Sequence, residues 1–171
     1  MERVSIDSFS QTHALLEHSQ EEDWRKLPRV FPHLEKKHSS LPTFRAFLCG
    51  IADQIQTYNA QAQKLDIVAH HMKVVTTKER VRGNSPEGIH QDGYPFLVTA
   101  LVVERLGVTG GESQVFDEDK KTKIFTTTLR PGQGILQPDL GSHLWHHVTP
   151  IAPEQSKGVR SVIGLDIDIV R

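Results

Sequence analysis

After Pro42, apolar side chains recur at Phe44, Phe47, Leu48, Ile51, Ala52, Ile55 and Tyr58. Positions three and four apart share one face of a helix, so this spacing predicts an amphipathic helix over about 42–64, with Pro42 suited to its first turn. A shorter helix is expected over 6–19, and Pro28 and Pro32 make 24–40 read as irregular. From Asp66 onward the period falls towards two. The stretches 66–76, 96–106, 123–129, 134–138, 143–151 and 161–170 are short, rich in Val, Ile and Thr, and separated by Gly, Pro, Asn and Asp. Short strands with turn signals between them predict a sandwich or barrel, with the helix packed on an outer face.

The last strand carries the clearest alternation. Val159, Ser161, Ile163, Leu165, Ile167 and Ile169 fall on one side, and Arg160, Val162, Gly164, Asp166 and Asp168 on the other. The first set should pack against the helix or a second sheet. Arg160 then faces the opposite way, and if that side is a lumen its charge needs an anionic partner.

The chain has 171 residues, 37% hydrophobic and 24% charged, which fits one soluble domain with a proper core. That domain would comprise a helical cover over 1–65 and a β core over 66–171. The formal net charge of −1 gives no basic field for nucleic acid, and Lys36-Lys37 and Lys120-Lys121 read as solvated surface. Cys49 is the only cysteine, so an intrachain disulfide is excluded, which fits a reducing cytoplasm. The N-terminus lacks a secretory apolar region, and no apolar stretch is long enough to span a membrane.

Candidate chemistry centres on "PEGIHQDG", residues 86–93, where His90 and Asp92 are separated by one residue and flanked by glycines. With ten histidines and ten aspartates in the chain, chance yields roughly 0.6 His-x-Asp, so the motif alone is weak and also fits a polar turn. Two histidines and one carboxylate on one face of Fe(II) leave three coordination positions open. His90 and Asp92 point the same way from a strand end and supply two ligands; a distant strand must bring the third. The candidates are His143, His146 and His147. His143 and His147 share one strand face and His146 takes the other, and periodicity does not choose between them.

The ordered series "EGIHQDG", "GGESQVFD", "WHHVTPI" and "VRSVIGLDI" resembles the 2-oxoglutarate/Fe(II)-dependent oxygenases. The branch it most resembles is the bacterial free-amino-acid hydroxylases related to L-isoleucine dioxygenase. The similarity covers roughly residues 66–170, and the first 65 match only loosely. It implies a double-stranded β-helix (a cupin-like jelly roll) with an N-terminal helical layer. It also implies hydroxylation of a small polar molecule, a free amino acid as first guess, with Fe(II), 2-oxoglutarate and O2. In that family the distal iron ligand follows an aromatic and stands two before Val-Thr-Pro, which maps to His146. The Arg opening the last core strand, which binds the distal carboxylate of 2-oxoglutarate, maps to Arg160. The alternative is a cupin-like metal-binding or sensor module without oxygenase activity, which has no need of Arg160.

Several residues carry blander expectations. Of His70 and His71, one should lie at the surface and one in the pocket or core. Arg80 and Arg82 are loop charges or reach a substrate carboxylate. Gly110-Gly111 is a turn that the resemblance places beside the site. "RPGQG" (130–134) and Asp139 are turn elements, and Cys49 is inert near the helix stripe.

Overall fold

The computed structural model describes residues 37, 40–79 and 88–170. The expectations for 6–19, for nearly all of 24–40, and for Arg80 and Arg82 lie outside the described residues. Helix α1 spans Pro42–Tyr58, with proline in its first turn. It stops short of the expected 64 because Asn59 is extended (φ −133°, ψ 94°). The Asn59 side-chain oxygen accepts from the Gln61 N–H at 3.1 Å, offering the backbone a turn in place of another helical bond.

Among the described residues nine strands follow: β1 (Leu65–Thr77), β2 (Phe96–Leu106), β3 (Val108–Gly110), β4 (Ser113–Phe116), β5 (Lys123–Thr127), β6 (Leu136–Pro138), β7 (Trp145–Val148), β8 (Ile151–Pro153) and β9 (Lys157–Ile169). They form a four-stranded sheet ordered β1-β9-β2-β6, a two-stranded sheet β3-β8 and a three-stranded sheet β5-β4-β7. All pairings are antiparallel, and β1 runs against β9 over its whole length, from Leu65 opposite Ile169 to Thr77 opposite Lys157. This is a double-stranded β-helix of jelly-roll type with a helix on its outer face. The stretch expected as one strand over 143–151 is two, β7 and β8, split where Thr149 and Pro150 leave the ladder.

The alternation of β9 sorts its side chains as expected. Leu165 and Ile167 are fully buried against Ile55 of α1, with Phe47, Leu48 and Ile51 packed around them. Burying each such side chain is worth about 1.5–3 kcal/mol. Tyr58, the last residue of the expected stripe, is 73% exposed, although its ring meets Phe96 edge-on at 5.7 Å. On the other face of β9, Val162 joins Ala100, Val102 and Leu129 in a second cluster lining the lumen.

Strand β2 is irregular in a way that shapes the lumen. Its register against β9 slips by one residue between Val98 and Leu101, and again between Val102 and Glu104. Each slip is a bulge, with one extra residue in β2, and each exchanges which parity of β2 faces inward. Before the first bulge Phe96 and Val98 face α1; after it Leu101 does. Had the register of Val102 opposite Val162 continued, Glu104 would stand opposite Arg160. The second bulge places Arg105 there instead, and Glu104 lies on the outer face, 3.5 Å from Lys73.

Candidate active site

His90 and His146 oppose each other in an isolated antiparallel bridge, each N–H donating to the other's carbonyl at 3.0 Å. This pairing sets the two rings 4.3 Å apart between centroids. Asp92 closes the group, with Oδ1 3.3 Å from His90 Nε2 and Oδ2 3.5 Å from His146 Nε2. One ligand atom from each of the three lies within 4.8 Å of the others, close enough to hold a metal ion.

The surroundings orient both imidazoles. His90 Nδ1 donates to the Gly88 carbonyl at 2.9 Å, which leaves Nε2 as the lone-pair nitrogen. His146 Nδ1 lies 3.6 Å from Oδ1 of Asp139. Asp139 is 0% exposed, and its Oδ2 accepts from the N–H groups of Asp92 (2.8 Å) and Gly93 (2.9 Å). One buried carboxylate therefore positions a histidine and the backbone that carries the aspartate, the arrangement metal-ligating histidines commonly show. Gln91, between His90 and Asp92, points away. Its Nε2 donates to the carbonyls of Asp139, Ser142 and Leu144 at 3.0, 3.2 and 2.8 Å, tying the His-x-Asp turn to the loop entering β7.

Electrostatics concentrate here. Burial alone would push the Asp92 carboxyl up, but hydrogen bonds and charge from His146 and His90 hold it well below the usual range. Burial would pull His146 down, but Asp139 and Asp92 push it up to about 9. Asp166, on the lumen face of β9, is pushed up to about 7 by burial and by the charges of Asp92 and Asp139. Its Oδ2 is 3.9 Å from His70 Nδ1, and the His70 ring covers Gly164, where a Cβ would meet Nε2 at 2.8 Å. These donors fit a divalent ion: an ionised carboxylate and two imidazole Nε2 atoms on one side, His146 giving up its extra proton to serve as a ligand, with His90 Nδ1 bonded to the Gly88 carbonyl and His146 Nδ1 facing Asp139 at 3.6 Å.

Further along the same face of β9, Arg160 is 0% exposed, and its Nε, Nη1 and Nη2 have no hydrogen-bond partner among the described residues. Burial, and then the charge of Arg105, pull its guanidinium down to about 10. Gly111, at φ +64°, presents bare backbone to it; a Cβ there would lie 2.9 Å from Ile151 Cγ2, 3.0 Å from Arg160 Cδ and 3.1 Å from Arg105 Nη1. The neighbouring Gly110 is constrained too, because a Cβ there would clash with the Pro150 carbonyl oxygen. The Gly-Gly turn thus packs beside a buried cation that has no hydrogen-bond partner among the described residues.

The structure brings His90, Asp92 and His146 together and sets Arg160 on the lumen face. His147 faces the other side of β7, 3.4 Å from the Gln114 amide oxygen, and His143 is exposed. His71 is exposed and bonded to the Ser161 hydroxyl, and His70 is the half-buried one. Asp139 is more than the turn residue expected, since its burial against a histidine 7 positions later and a backbone 47 positions earlier comes only from the fold. Asp166 had a visible signal, sharing the alternation class of Arg160.

A family model described as 2OG-Fe dioxygenase matches residues 6–166, and the chain belongs to that family. The match includes the front third, which the motifs alone matched only loosely. The family uses Fe(II), 2-oxoglutarate and O2. The fold is similar to a bsmA homolog from Methylobium petroleophilum PM1 (27% identity, TM-score 0.70, 83% of this chain and 56% of that one). It is also similar to IDO from Bacillus thuringiensis (18% identity, TM-score 0.69, 83% of this chain and 64% of that one). The chain thus spans less than two thirds of either solved protein. No curated protein matches it. Among the described residues no helix is long and apolar enough to cross a membrane.

Proposed function

We propose that the protein is an Fe(II)- and 2-oxoglutarate-dependent dioxygenase that hydroxylates a small polar molecule, a free amino acid. The observation that carries this reading is Arg160, a buried guanidinium with no acceptor among the described residues, on the face of β9 that also carries Asp166 beside the His-Asp-His group. A metal-binding module without oxygenase activity needs the three ligands but not this cation.

On this reading Nε2 of His90, Nε2 of His146 and a carboxylate oxygen of Asp92 hold the iron, leaving three positions for the 2-oxo acid and O2. Asp139 and the Gly88 carbonyl keep both rings turned so that Nε2 faces the ion. Arg160 pairs with the distal carboxylate of 2-oxoglutarate through its planar fork, which suits a carboxylate better than a lysine would. Gly111 lets the Arg160 and Arg105 side chains approach the backbone more closely than a Cβ would allow. The iron, when bound, supplies the oxidising chemistry: one atom of O2 enters the substrate C–H bond and the other enters succinate, with loss of CO2. Asp166 and His70, on the lumen face near Asp92 and His146, offer a carboxylate and an imidazole to a substrate ammonium. The resemblance of the motifs to free-amino-acid hydroxylases supports the same substrate class.

The test is incubation with Fe(II), ascorbate, 2-oxoglutarate and single amino acids, reading succinate and a mass gain of one oxygen. We expect at least one amino acid to give both signals, and Asp92→Ala to give neither. Succinate formation that is no higher than in Asp92→Ala with every amino acid contradicts the reading.

A further inference from the structure

We propose that Arg105 is a second anchor for the distal carboxylate of the co-substrate, so that two guanidiniums on adjacent strands grip it together. This rests on the reading of Arg160 given above and extends it to a residue on β2.

The bulge between Val102 and Glu104 is the first support. An unbroken ladder would place Glu104 opposite Arg160, where its carboxylate would neutralise the guanidinium from within the protein. The extra residue turns Glu104 outward to Lys73 and sets Arg105 opposite Arg160. Like charges directly opposite each other on one sheet face are destabilising, and the cost grows with burial. That cost is offset when an anion lies between them.

The hydrogen bonds of Arg105 divide its guanidinium in two. Nη2 donates to the carbonyls of Val108 (3.2 Å) and Gly110 (2.7 Å), closing the turn from β2 to β3. Nη1 is buried and has no hydrogen-bond partner among the described residues. A purely structural arginine would explain Nη2 but not Nη1. The carbonyl bonds instead hold the guanidinium so that Nη1 lies against Gly111, which Arg160 Cδ also approaches. Four buried donor nitrogens without a partner among the described residues, three from Arg160 and one from Arg105, thus belong to two side chains that both pack against Gly111. A carboxylate has about four lone-pair sites and suits that set.

The experiment is anaerobic calorimetric titration of the Fe(II)-loaded protein with 2-oxoglutarate and, separately, with 2-oxobutanoate, which keeps the chelating end but lacks the distal carboxylate. Arg105→Met should weaken 2-oxoglutarate about tenfold or more, the loss of one charge-assisted bond. It should leave 2-oxobutanoate within about twofold of wild type, because the metal end is untouched. Arg105→Lys retains a donor for the turn carbonyls, folds if the methionine variant does not, and should still weaken 2-oxoglutarate several-fold while sparing 2-oxobutanoate. Wild-type affinity for 2-oxoglutarate in either variant, or equal weakening of both ligands, overturns the role of Arg105. If Arg160→Met also leaves 2-oxoglutarate unchanged, the underlying co-substrate reading fails, and not only its extension to Arg105.

Discussion

The lumen face of β9 is acidic and internally paired at one end, and basic and unpaired at the other. Towards the C-terminal end, Asp166 sits with Asp92, Asp139, His70, His90 and His146, where each carboxylate faces an imidazole at 3.3–3.9 Å, although His70 Nδ1, His146 Nδ1, Asp139 Oδ1 and Asp166 Oδ2 make no hydrogen bond at those distances. Six residues earlier Arg160 faces Arg105, and four buried nitrogens meet no acceptor among the described residues. The difference teaches how such a site divides its work. The end that would hold a metal must fix ring orientation in advance, so the chain supplies Asp139 and the Gly88 carbonyl. The end that would bind an anion gains from a cation without an internal partner, since a pre-formed ion pair would compete with the ligand. The bulge that turns Glu104 outward serves that second requirement.

The largest expected effects come from the paired end. Asp92→Ala and His146→Ala should each lose stoichiometric iron and all detectable succinate formation, while His147→Ala should retain most of both. Metal analysis of the three purified variants decides this; iron retained by His146→Ala but lost by His147→Ala would place the ligand on the wrong face of β7. Next in size is Asp139→Asn. Removing the group that orients a ligating histidine usually weakens a metal about 10- to 100-fold, so competition against a chelator should show a loss in that range. An unchanged iron affinity would reduce Asp139 to a turn residue.

At the unpaired end, Gly111→Ala should weaken 2-oxoglutarate by about tenfold with iron affinity unchanged. The new methyl would press on Arg160 Cδ and Arg105 Nη1, and a non-glycine residue at φ +64° adds about 1–2 kcal/mol of backbone strain. Equal loss of iron and 2-oxoglutarate in a calorimetric titration would mean that the change spreads through the fold.

The smallest effect concerns pH. Asp166 is pushed up from its ordinary 3.8 to about 7, with Asp92 and Asp139 raising it and His146 opposing, while His70 and Tyr94 also face it. Between those two values the folded state holds a proton that the unfolded state has lost. Its contribution to stability is therefore full below 3.8 and is lost as pH rises through about 7. In the metal-free protein, Tm of the wild type relative to Asp166→Asn should fall between pH 4.5 and pH 8. Parallel Tm curves would remove this reading of Asp166.

Much of this was legible in the sequence, and what was not has a physical cause. The apolar stripe of α1 and the strict alternation of β9 are local periodicities, so both elements followed from spacing, as did the placing of Arg160 on the face opposite the apolar set. The first residue of β2 and its last, Phe96 and Leu106, matched expectation, but its bulges did not show, because a bulge is defined by the partner strand. Nothing local in the sequence therefore marks Arg105. His146 and His147 stayed tied on periodicity; their separation comes from the ladder that sets His146 opposite Val115 and His147 opposite Gln114. Short β3 and β4 were missed because three or four residues carry too little pattern to register. Asp139 lies 47 residues from Asp92, and its loop reaches the site through long-range pairing: the Asp139 and Leu140 N–H groups on the Pro95 and Tyr94 carbonyls, Gln91 on the loop's carbonyls, and the bridge between His90 and His146.

The central claim is that one lumen holds Fe(II) at the His-Asp-His group and the distal carboxylate of 2-oxoglutarate at Arg160. Anaerobic titration of the Fe(II)-loaded protein with 2-oxoglutarate, followed by its weak visible charge-transfer band, tests both halves together. Wild type should develop the band and saturate. Arg160→Met should bind iron as wild type does and reach the same band only at about 10- to 100-fold higher 2-oxoglutarate, as expected for losing one or two charge-assisted bonds. A wild-type protein that binds Fe(II) and gives no band, or an Arg160→Met protein that saturates at the wild-type concentration, would contradict the account.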